Sequence, residues 1–275
     1  MSPPTEWSFD PRVLIGVAVL TFFYVWGWRR ARRPGMPHPP GHGRLMLFAA
    51  AMLTVLGALV SPIDSLSDEL MLVHMFQHVL LLDIMPILLI LSLTKGILRP
   101  VTRRVTRIEE GAGFFAHPVF AVVFYCGMMW LWHVPFMYDL ALRHENSWHI
   151  LEHICFSAAG TLYWWHLLSP IRSRMRLGGM GPVMYMVSTK LIVGVLGVML
   201  AFSPHGIYAF YDHQPHWWGL TPGDDQNMSG LLMALEQSIV MGIALAWLFV
   251  RMLGESEREA EREERYAAGQ AGVAA

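Results

Sequence analysis

Seven apolar stretches constrain the fold of this chain most strongly. Each is close to the length that a helix needs to cross a membrane. A hydrocarbon core ~30 Å thick is crossed by about 20 residues of α-helix. The stretches lie at residues 12–28, 45–61, 69–94, 115–136, 147–169, 182–204 and 229–253. A composition of 54% hydrophobic and only 15% charged residues supports the same interpretation. The sequence therefore predicts an all-α, polytopic membrane protein with a bundle of seven transmembrane helices.

The distribution of Lys and Arg predicts the orientation of this bundle, because cytoplasmic loops retain basic residues. Seventeen of the 20 basic residues lie in three linkers and the tail, at 29–44, 95–114, 170–181 and 251–275. Only Arg12 and Arg143 fall in loops on the opposite side, and Lys190 falls within the sixth stretch. We therefore expect the N-terminus outside the cell and the C-terminus in the cytoplasm.

The chain divides by composition into a membrane domain, residues 1–253, and a charged cytoplasmic tail, residues 254–275. The tail mixes acidic and basic residues at helical spacing, which is typical of a solvated helical extension. A net charge of −1 offers no basic face to nucleic acid, so that class of partner is excluded. Cys126 and Cys155 lie in apolar stretches without a CxxC motif and are expected to be small buried hydrophobes.

Five of the 13 histidines share one depth, near the outer boundary of the predicted bundle. His74 and His78 begin the third predicted span, His133 ends the fourth, and His149 and His153 begin the fifth. Residues four apart stand on one helix face, so each HxxxH pair offers two imidazoles in one direction. A histidine from a neighbouring helix would complete three nitrogen ligands and leave one position open. The sequence predicts a metal or cofactor site built from these five side chains.

Further donors accompany the histidines. Glu152 precedes His153 and is expected either to orient a ligand as hydrogen-bond acceptor or to bind the metal itself. Met71 and Met233 add thioethers, which favour Cu(I) over harder ions when combined with imidazole. With 19 methionines in the chain, however, a methionine close to the site can also be ordinary core.

Three charged residues, Asp83, Lys190 and Glu236, fall deeper within the predicted spans. Each is costly there unless it is paired or faces water, so we expect Lys190 to pair with one of the acids. Such a pair would either lock the helices together or belong to a proton or ion route. Asp83 follows His74 by nine residues, about 180° around a helix, and is expected to lie away from the histidine site.

The longest loop on the predicted outer side joins the last two spans and carries His205, His213 and His216. Its Tyr and Trp residues suit the membrane interface, while its histidines form a candidate lid or route by which metal enters. Asp224 and Asp225 follow at the start of the last span, where they are expected to cap that helix.

Six motifs occur in order along the chain: SPID (61–64), HMFQH (74–78), HP (117–118), WLWHVPFMYDLAL (130–142), HILEH (149–153) and DDQNMSGLLM (224–233). With them the chain resembles the CtaG family of Caa-type cytochrome c oxidase assembly factors, over roughly residues 7–250. The resemblance implies a multi-pass protein of the bacterial inner membrane that is needed to make active haem–copper oxidase and handles copper on the outer side. It places the family's functional positions on the five histidines, with Asp225 and Met233 from the last motif.

The predicted function is therefore that of an assembly factor, not an enzyme, which binds copper, with Cu(I) favoured, and delivers it to a copper-bearing oxidase subunit. The expected partners are oxidase subunits and the lipid bilayer. The sequence leaves open whether the protein forms a homo-oligomer. Three alternatives use the same histidines: a membrane cytochrome with haem ligands, a metal or proton transporter, and a zinc hydrolase with Glu152 as base.

Overall fold

The computed structural model describes residues 3–171 and 177–274, and over these residues the chain is helical with no strand. In chain order the helices are α1 (Pro11–Ala31), α2 (His42–Leu59), α3 (Pro62–Ser67), α4 (Met71–Val79), α5 (Met85–Ser92), α6 (Lys95–Leu98), α7 (Thr102–Ala112), α8 (Pro118–Trp132), α9 (Pro135–Arg143), α10 (Ile150–Leu168), α11 (Gly181–Ala201) and α12 (Pro222–Ala274). Shorter π-helical segments lie at Leu80–Ile84 and Glu145–His149, and 3₁₀ turns at Gly113–Ala116, Tyr211–His213 and Trp217–Gly219. The all-helical prediction is confirmed.

A helix occupies each of the seven predicted stretches. Five helical units are long and apolar enough to cross a membrane, namely α1, α2, Met71–Ser92, α11 and the first part of α12. A sixth results if Thr102–Ala116 and α8, bent by 63°, form one span. α10 has 19 residues but carries the polar Glu152, His153 and His166, which reduce its apolar character. A multi-pass membrane protein is confirmed, while seven crossings stay a prediction.

Several connections between helices meet at one end of the bundle. There the N-terminal segment meets the α2–α3 turn, where the Ser8 amide donates to Val60 O and the Ser8 hydroxyl to Asp64, at 2.9 and 2.6 Å. The same end holds α9 and the loop 202–221, joined by a bond from the Phe210 amide to Asp139. We call it the histidine end. Whether it faces outward stays a prediction, and three of the basic residues on which the orientation rests, Arg172, Arg174 and Arg176, lie outside the described residues.

The starts of several helices follow directly from the sequence. Asp10, Ser61 and His117 each accept a hydrogen bond from the backbone amide two residues ahead, and a proline follows each of them in the first helical turn. Because proline needs no amide partner there and its φ is already helical, these dipeptides fix where α1, α3 and α8 begin. At the other end of the chain α12 continues through the predicted domain boundary at residue 253 as far as Ala274.

A π-helical turn separates α4 from α5 and lies against α10 at Gly160. A Cβ at Gly160 would overlap the carbonyl oxygen of Leu82, so only glycine permits this approach. A π turn inserts one extra residue into an α-helix, which rotates the residues after it by about 100° relative to a regular helix. The direction of every side chain beyond Val79 therefore differs from the regular helical expectation.

Candidate metal centre

Helices α4 and α10 bring two histidines and a carboxylate together near the histidine end. The Oε2 atom of Glu152 lies 3.9 Å from Nε2 of His74, and its Oε1 atom lies 3.6 Å from Nε2 of His78. One ligating atom from each of the three residues can be chosen so that all lie within 4.8 Å of one another. This is a spacing at which a single ion could contact all three.

The other three predicted histidines surround this group. The His149 ring stacks on His74 with centroids 5.2 Å apart, and His153 lies 4.3 Å from His149 and 5.9 Å from His78. His133 reaches the cluster from the end of α8, with its centroid 6.5 Å from that of His78. All five predicted histidines thus lie in one cluster, although their role as ligands stays a prediction.

The central donors are buried and lack hydrogen-bond partners among the described residues. This holds for both ring nitrogens of His78, both carboxyl oxygens of Glu152 and the Nε2 atoms of His149 and His153. Glu152 is 1% exposed and His78 3% exposed. Since a buried polar atom without a partner is costly and uncommon, this concentration of them is a chemical reason to expect a ligand.

His133 contacts a methionine that the sequence analysis did not select. Its Nδ1–H donates to the Met129 carbonyl at 2.7 Å, while its Nε2 lies 3.3 Å from Sδ of Met75. Met75 lies inside the HMFQH motif, three residues before His78, so helical spacing could have identified it. The predicted donor Met71 is buried at the start of α4, and its backbone amide has a different role.

Asp225 caps the N-terminus of α4 and not that of its own helix, α12. Its carboxylate accepts from the amides of Met71 and Leu72 at 2.7 and 2.9 Å. Asp224 instead pairs with Thr221 at the start of α12, and this hydrogen bond lowers the pKa of the Asp224 carboxyl. The prediction that both aspartates cap the last span is therefore wrong for Asp225, because the loop lays it against the neighbouring helix. Asp225 positions the helix that carries His74.

Three tyrosines cover the cluster at the histidine end. Tyr208 donates to the carbonyl of His133 and Tyr211 to that of Ser67, both at 3.0 Å. The Tyr138 ring lies 4.0 Å from Tyr208 and 5.3 Å from His74. Burial raises the pKa of Tyr208 and Tyr211, so both hydroxyls remain donors. The sequence suggested only interfacial aromatics here, because these contacts join residues far apart in the chain.

The loop histidines stand apart from this arrangement. His205, His213 and His216 are exposed, and the loop is held by Gln226, which accepts from Ile207 N and donates to His205 O at 2.7 and 3.3 Å. None of the three belongs to the buried cluster in the described part of the chain. Their role as a route for metal stays a prediction.

Asp83 is enclosed by polar and aromatic partners. It accepts from the Tyr125 hydroxyl at 2.9 Å and from the Trp164 indole at 2.7 Å. Glu236 lines the same small cavity as Asp83.

The expectation that Asp83 lies away from the histidines needs correction. Asp83, Met233 and Glu236 line a small cavity together with His78. The 180° phase assumed for Asp83 holds only for a regular helix, and Asp83 lies inside the π turn, where the rotation per residue is different. Asp83 is thus connected to the cluster through this cavity.

Among the residues that the structure describes, Lys190 forms no ion pair with either acid, contrary to the prediction. Its ammonium group donates to the hydroxyl of Ser238 on α12 at 2.9 Å. Lys190 is only half-buried, and its long side chain reaches a hydroxyl near the bundle surface, whereas Asp83 lies in the interior.

Comparisons with known proteins agree with the resemblance in the motifs. Residues 22–255 match the family described as cytochrome c oxidase caa3 assembly factor (Caa3_CtaG). An uncharacterized protein of Mycobacterium leprae is 22% identical over 281 residues, which cover 96% of this chain and 42% of the relative. Uncharacterized proteins of Mycobacterium bovis and Mycobacterium tuberculosis are each 23% identical over 286 residues, with the same shares covered.

The chain therefore spans less than half the length of these curated relatives. No solved structure matches it. The family match, however, extends over most of the chain and contains all five clustered histidines. The protein belongs to the Caa3_CtaG family of cytochrome c oxidase caa3 assembly factors.

Proposed function

We propose that this protein binds copper as cargo at the buried histidine–glutamate cluster and delivers it during maturation of a haem–copper oxidase. The observation that carries the proposal is the convergence of His74, His78 and Glu152, with ligating atoms within 4.8 Å inside an apolar bundle. Ionisable side chains at such a place are costly and usually functional. A bound cation would supply the partner that these donors lack.

The donor types favour copper. Two imidazoles and a carboxylate leave a coordination position open, and with nitrogen and oxygen ligands Cu²⁺ binds more tightly than Zn²⁺. The adjacent His133 and Met75 offer an imidazole and a thioether, a combination that favours Cu(I). A site with both donor types beside each other suits a metal that is handled in two oxidation states.

The surrounding imidazoles favour transfer of a cargo over permanent retention. His149 and His153 lie within ring contact of the central pair and could replace one ligand at a time. Stepwise replacement avoids exposing a bare cation inside the bundle, which would be far more costly. The tyrosine cover over the cluster would have to open for the ion to leave toward an oxidase component.

Haem is a poorer fit than a single ion. The cavity that His78 lines measures only about 10 Å³, close to one water-sized sphere. A larger cavity of about 610 Å³ exists between α1, α2, α5 and α10, but its lining includes Leu20, Met85 and Trp165 and no histidine. A macrocycle would therefore require the helices around the cluster to separate.

The test is elemental analysis with an absorption spectrum on full-length protein purified from copper-supplemented cells. We expect copper in the wild type and in His38→Ala, which changes an exposed histidine of the linker between α1 and α2, and its loss in His78→Ala. Oxidase copper content in cells carrying each variant should follow the same order. Wild-type protein that stays metal-free after copper loading, binds zinc but not copper, or shows a Soret band would contradict the proposal.

A further inference from the structure

A small cavity adjoins the histidine cluster on the side of the π turn. Its volume is about 10 Å³, enough for one water-sized sphere and hence for one metal ion. Six of its nine lining residues carry sulfur, imidazole or carboxyl groups: Met75, His78, Asp83, Met129, Met233 and Glu236. The other three are aliphatic. No other polar group competes for this space in the lining.

Methionine is concentrated in this wall. The chain has 19 methionines among 275 residues, so a wall of nine residues would contain fewer than one by composition alone. Met75, Met129 and Met233 come from three different helices, and each is at most 5% exposed. Three buried methionines that line one cavity from separate helices offer a soft donor set.

The cavity is continuous with the cluster through shared residues. His78 lines the cavity and also faces Glu152, while Met75 touches Nε2 of His133 at 3.3 Å. Asp83 lies five residues beyond His78, about 7 Å further along the helix. An ion could therefore move between the two places without leaving the protein interior.

Two acids also line the cavity. Asp83 and Glu236 are both buried, and Tyr125 and Trp164 donate hydrogen bonds that hold Asp83 in place. A carboxylate beside a bound cation offsets part of its charge in an apolar bundle, where an uncompensated charge is costly. The acids therefore suit a cation in this cavity, and the thioethers favour Cu(I) among cations.

We propose that this cavity is a second, deeper binding site for Cu(I), with the thioethers of Met75, Met129 and Met233 and the imidazole of His78 as ligands. The proposal rests on the proposed function and deepens it, because it assigns an oxidation state and a second position to the cargo. The nitrogen–oxygen group of His74, His78 and Glu152 accepts either oxidation state, and the sulfur-lined cavity selects Cu(I) over Zn²⁺ and Cu²⁺.

The test uses full-length protein in detergent, titrated with Cu(I) under a reductant against a Cu(I)-specific chelator, with X-ray absorption on the loaded sample. The variant is Met129→Leu/Met233→Leu, which nearly conserves volume. The matched control is Met46→Leu/Met184→Leu, two methionines that are 72% and 65% exposed on the outer helix faces.

We expect the wild type and the control to show sulfur scattering. The buried double variant should keep only the scattering of Met75, the one thioether ligand left, and bind Cu(I) about tenfold more weakly or worse, since even indirect partners of metal ligands change affinity by 10- to 100-fold. Its Cu²⁺ binding should stay unchanged, which also shows that it is folded.

Two outcomes separate the two proposals. Copper bound only through nitrogen and oxygen in the wild type, or unchanged Cu(I) affinity in the buried double variant, overturns the second site and leaves the copper function intact. A wild type that binds copper in neither oxidation state overturns the proposed function, and the second site with it.

Discussion

The central bundle, formed by α4, α5, α8 and α10–α12, differs from the peripheral pair, α1 and α2, in how it treats polar groups. Within the membrane-length windows, 56% of the residues of Met71–Ser92, 39% of those of α11 and 24% of those of the first part of α12 are buried, against 11% for α1 and 22% for α2. No acid, base or amide side chain is buried on α1 or α2, whose buried polar atoms include the Tyr24 hydroxyl and the Trp28 indole nitrogen, whereas the central bundle buries histidines, acids and amides.

The contrast shows where a membrane protein can place polar side chains. A charged or hydrogen-bonding group facing lipid has no partner, so it must be enclosed by other helices. The peripheral pair instead has a small apolar core in which the rings of Tyr24 and Phe48 stack 3.8 Å apart. The central bundle holds the site, and the peripheral pair adds apolar surface beside it.

The strongest test of this contrast is an added methyl group in each region. Gly160→Ala should destabilise the protein by about 3 kcal/mol or more, because its Cβ would overlap the Leu82 carbonyl and disrupt the π turn. Gly57→Ala in α2 should leave stability unchanged or slightly raised, because nothing lies within 4 Å of the added atom. Thermal unfolding in detergent measures both.

Equal melting temperatures for the two glycine variants would mean that the close approach of α10 to the π turn does not matter for stability. Retained copper binding in Gly160→Ala would further show that the turn is not needed to direct side chains toward the cluster.

The π turn also marks the limit of what the sequence could reveal about the fold. The seven helices follow from apolar runs, and several helix starts follow from residues such as Ser61 and His117 before prolines. The segment LLLDI itself carries no mark of an inserted residue. Pro86 just after it predicts an irregular helix, because it has no amide to bond the Leu82 carbonyl, but it does not specify an insertion, and the packing of that carbonyl against Gly160 joins residues far apart in the chain. The error in the phase of Asp83 arises from this.

The candidate site also has a part that the sequence predicts and a part that it does not. Helical spacing sufficed to group the five histidines and to suggest Glu152, since these residues recur within two short motifs. Asp225 and Lys190 were assigned the wrong partners because each has a neighbour on another helix, such as Met71 for Asp225, 154 residues away. Local periodicity contains no information on which helices are adjacent.

The second test concerns the metal and should affect only one region. Glu152→Gln should weaken copper binding by about 10- to 100-fold, because the amide keeps the volume but loses the charge of the central donor. In the wild type, copper should protect amides of α4 and α10 from hydrogen exchange and leave those of α1 and α2 unchanged. Protection spread evenly over all helices would contradict a site confined to the central bundle.

A third test separates two adjacent aspartates. Asp225→Ala removes the cap of α4 and should cost about 1–2 kcal/mol, with lower copper affinity because His74 lies in the first turns of that helix. Asp224→Ala, one residue earlier, removes only an exposed cap of α12 and should have a smaller effect on stability and none on copper. Similar copper affinities in the two variants would show that Asp225 does not position the cluster.

The smallest expected effect lies in the peripheral pair. The Tyr24 hydroxyl donates to the carbonyls of Arg44 and Ser92 at 2.8 and 3.1 Å, linking α1 to the start of α2 and the end of α5. Tyr24→Phe keeps the stacked ring and should lower stability by about 1 kcal/mol, the net value of such a hydrogen bond. Hydrogen exchange should rise in α1, whereas copper affinity should match the wild type. A loss of copper binding in this variant would mean that the peripheral pair sets the geometry of the cluster, since the substitution leaves every residue of the central bundle in place.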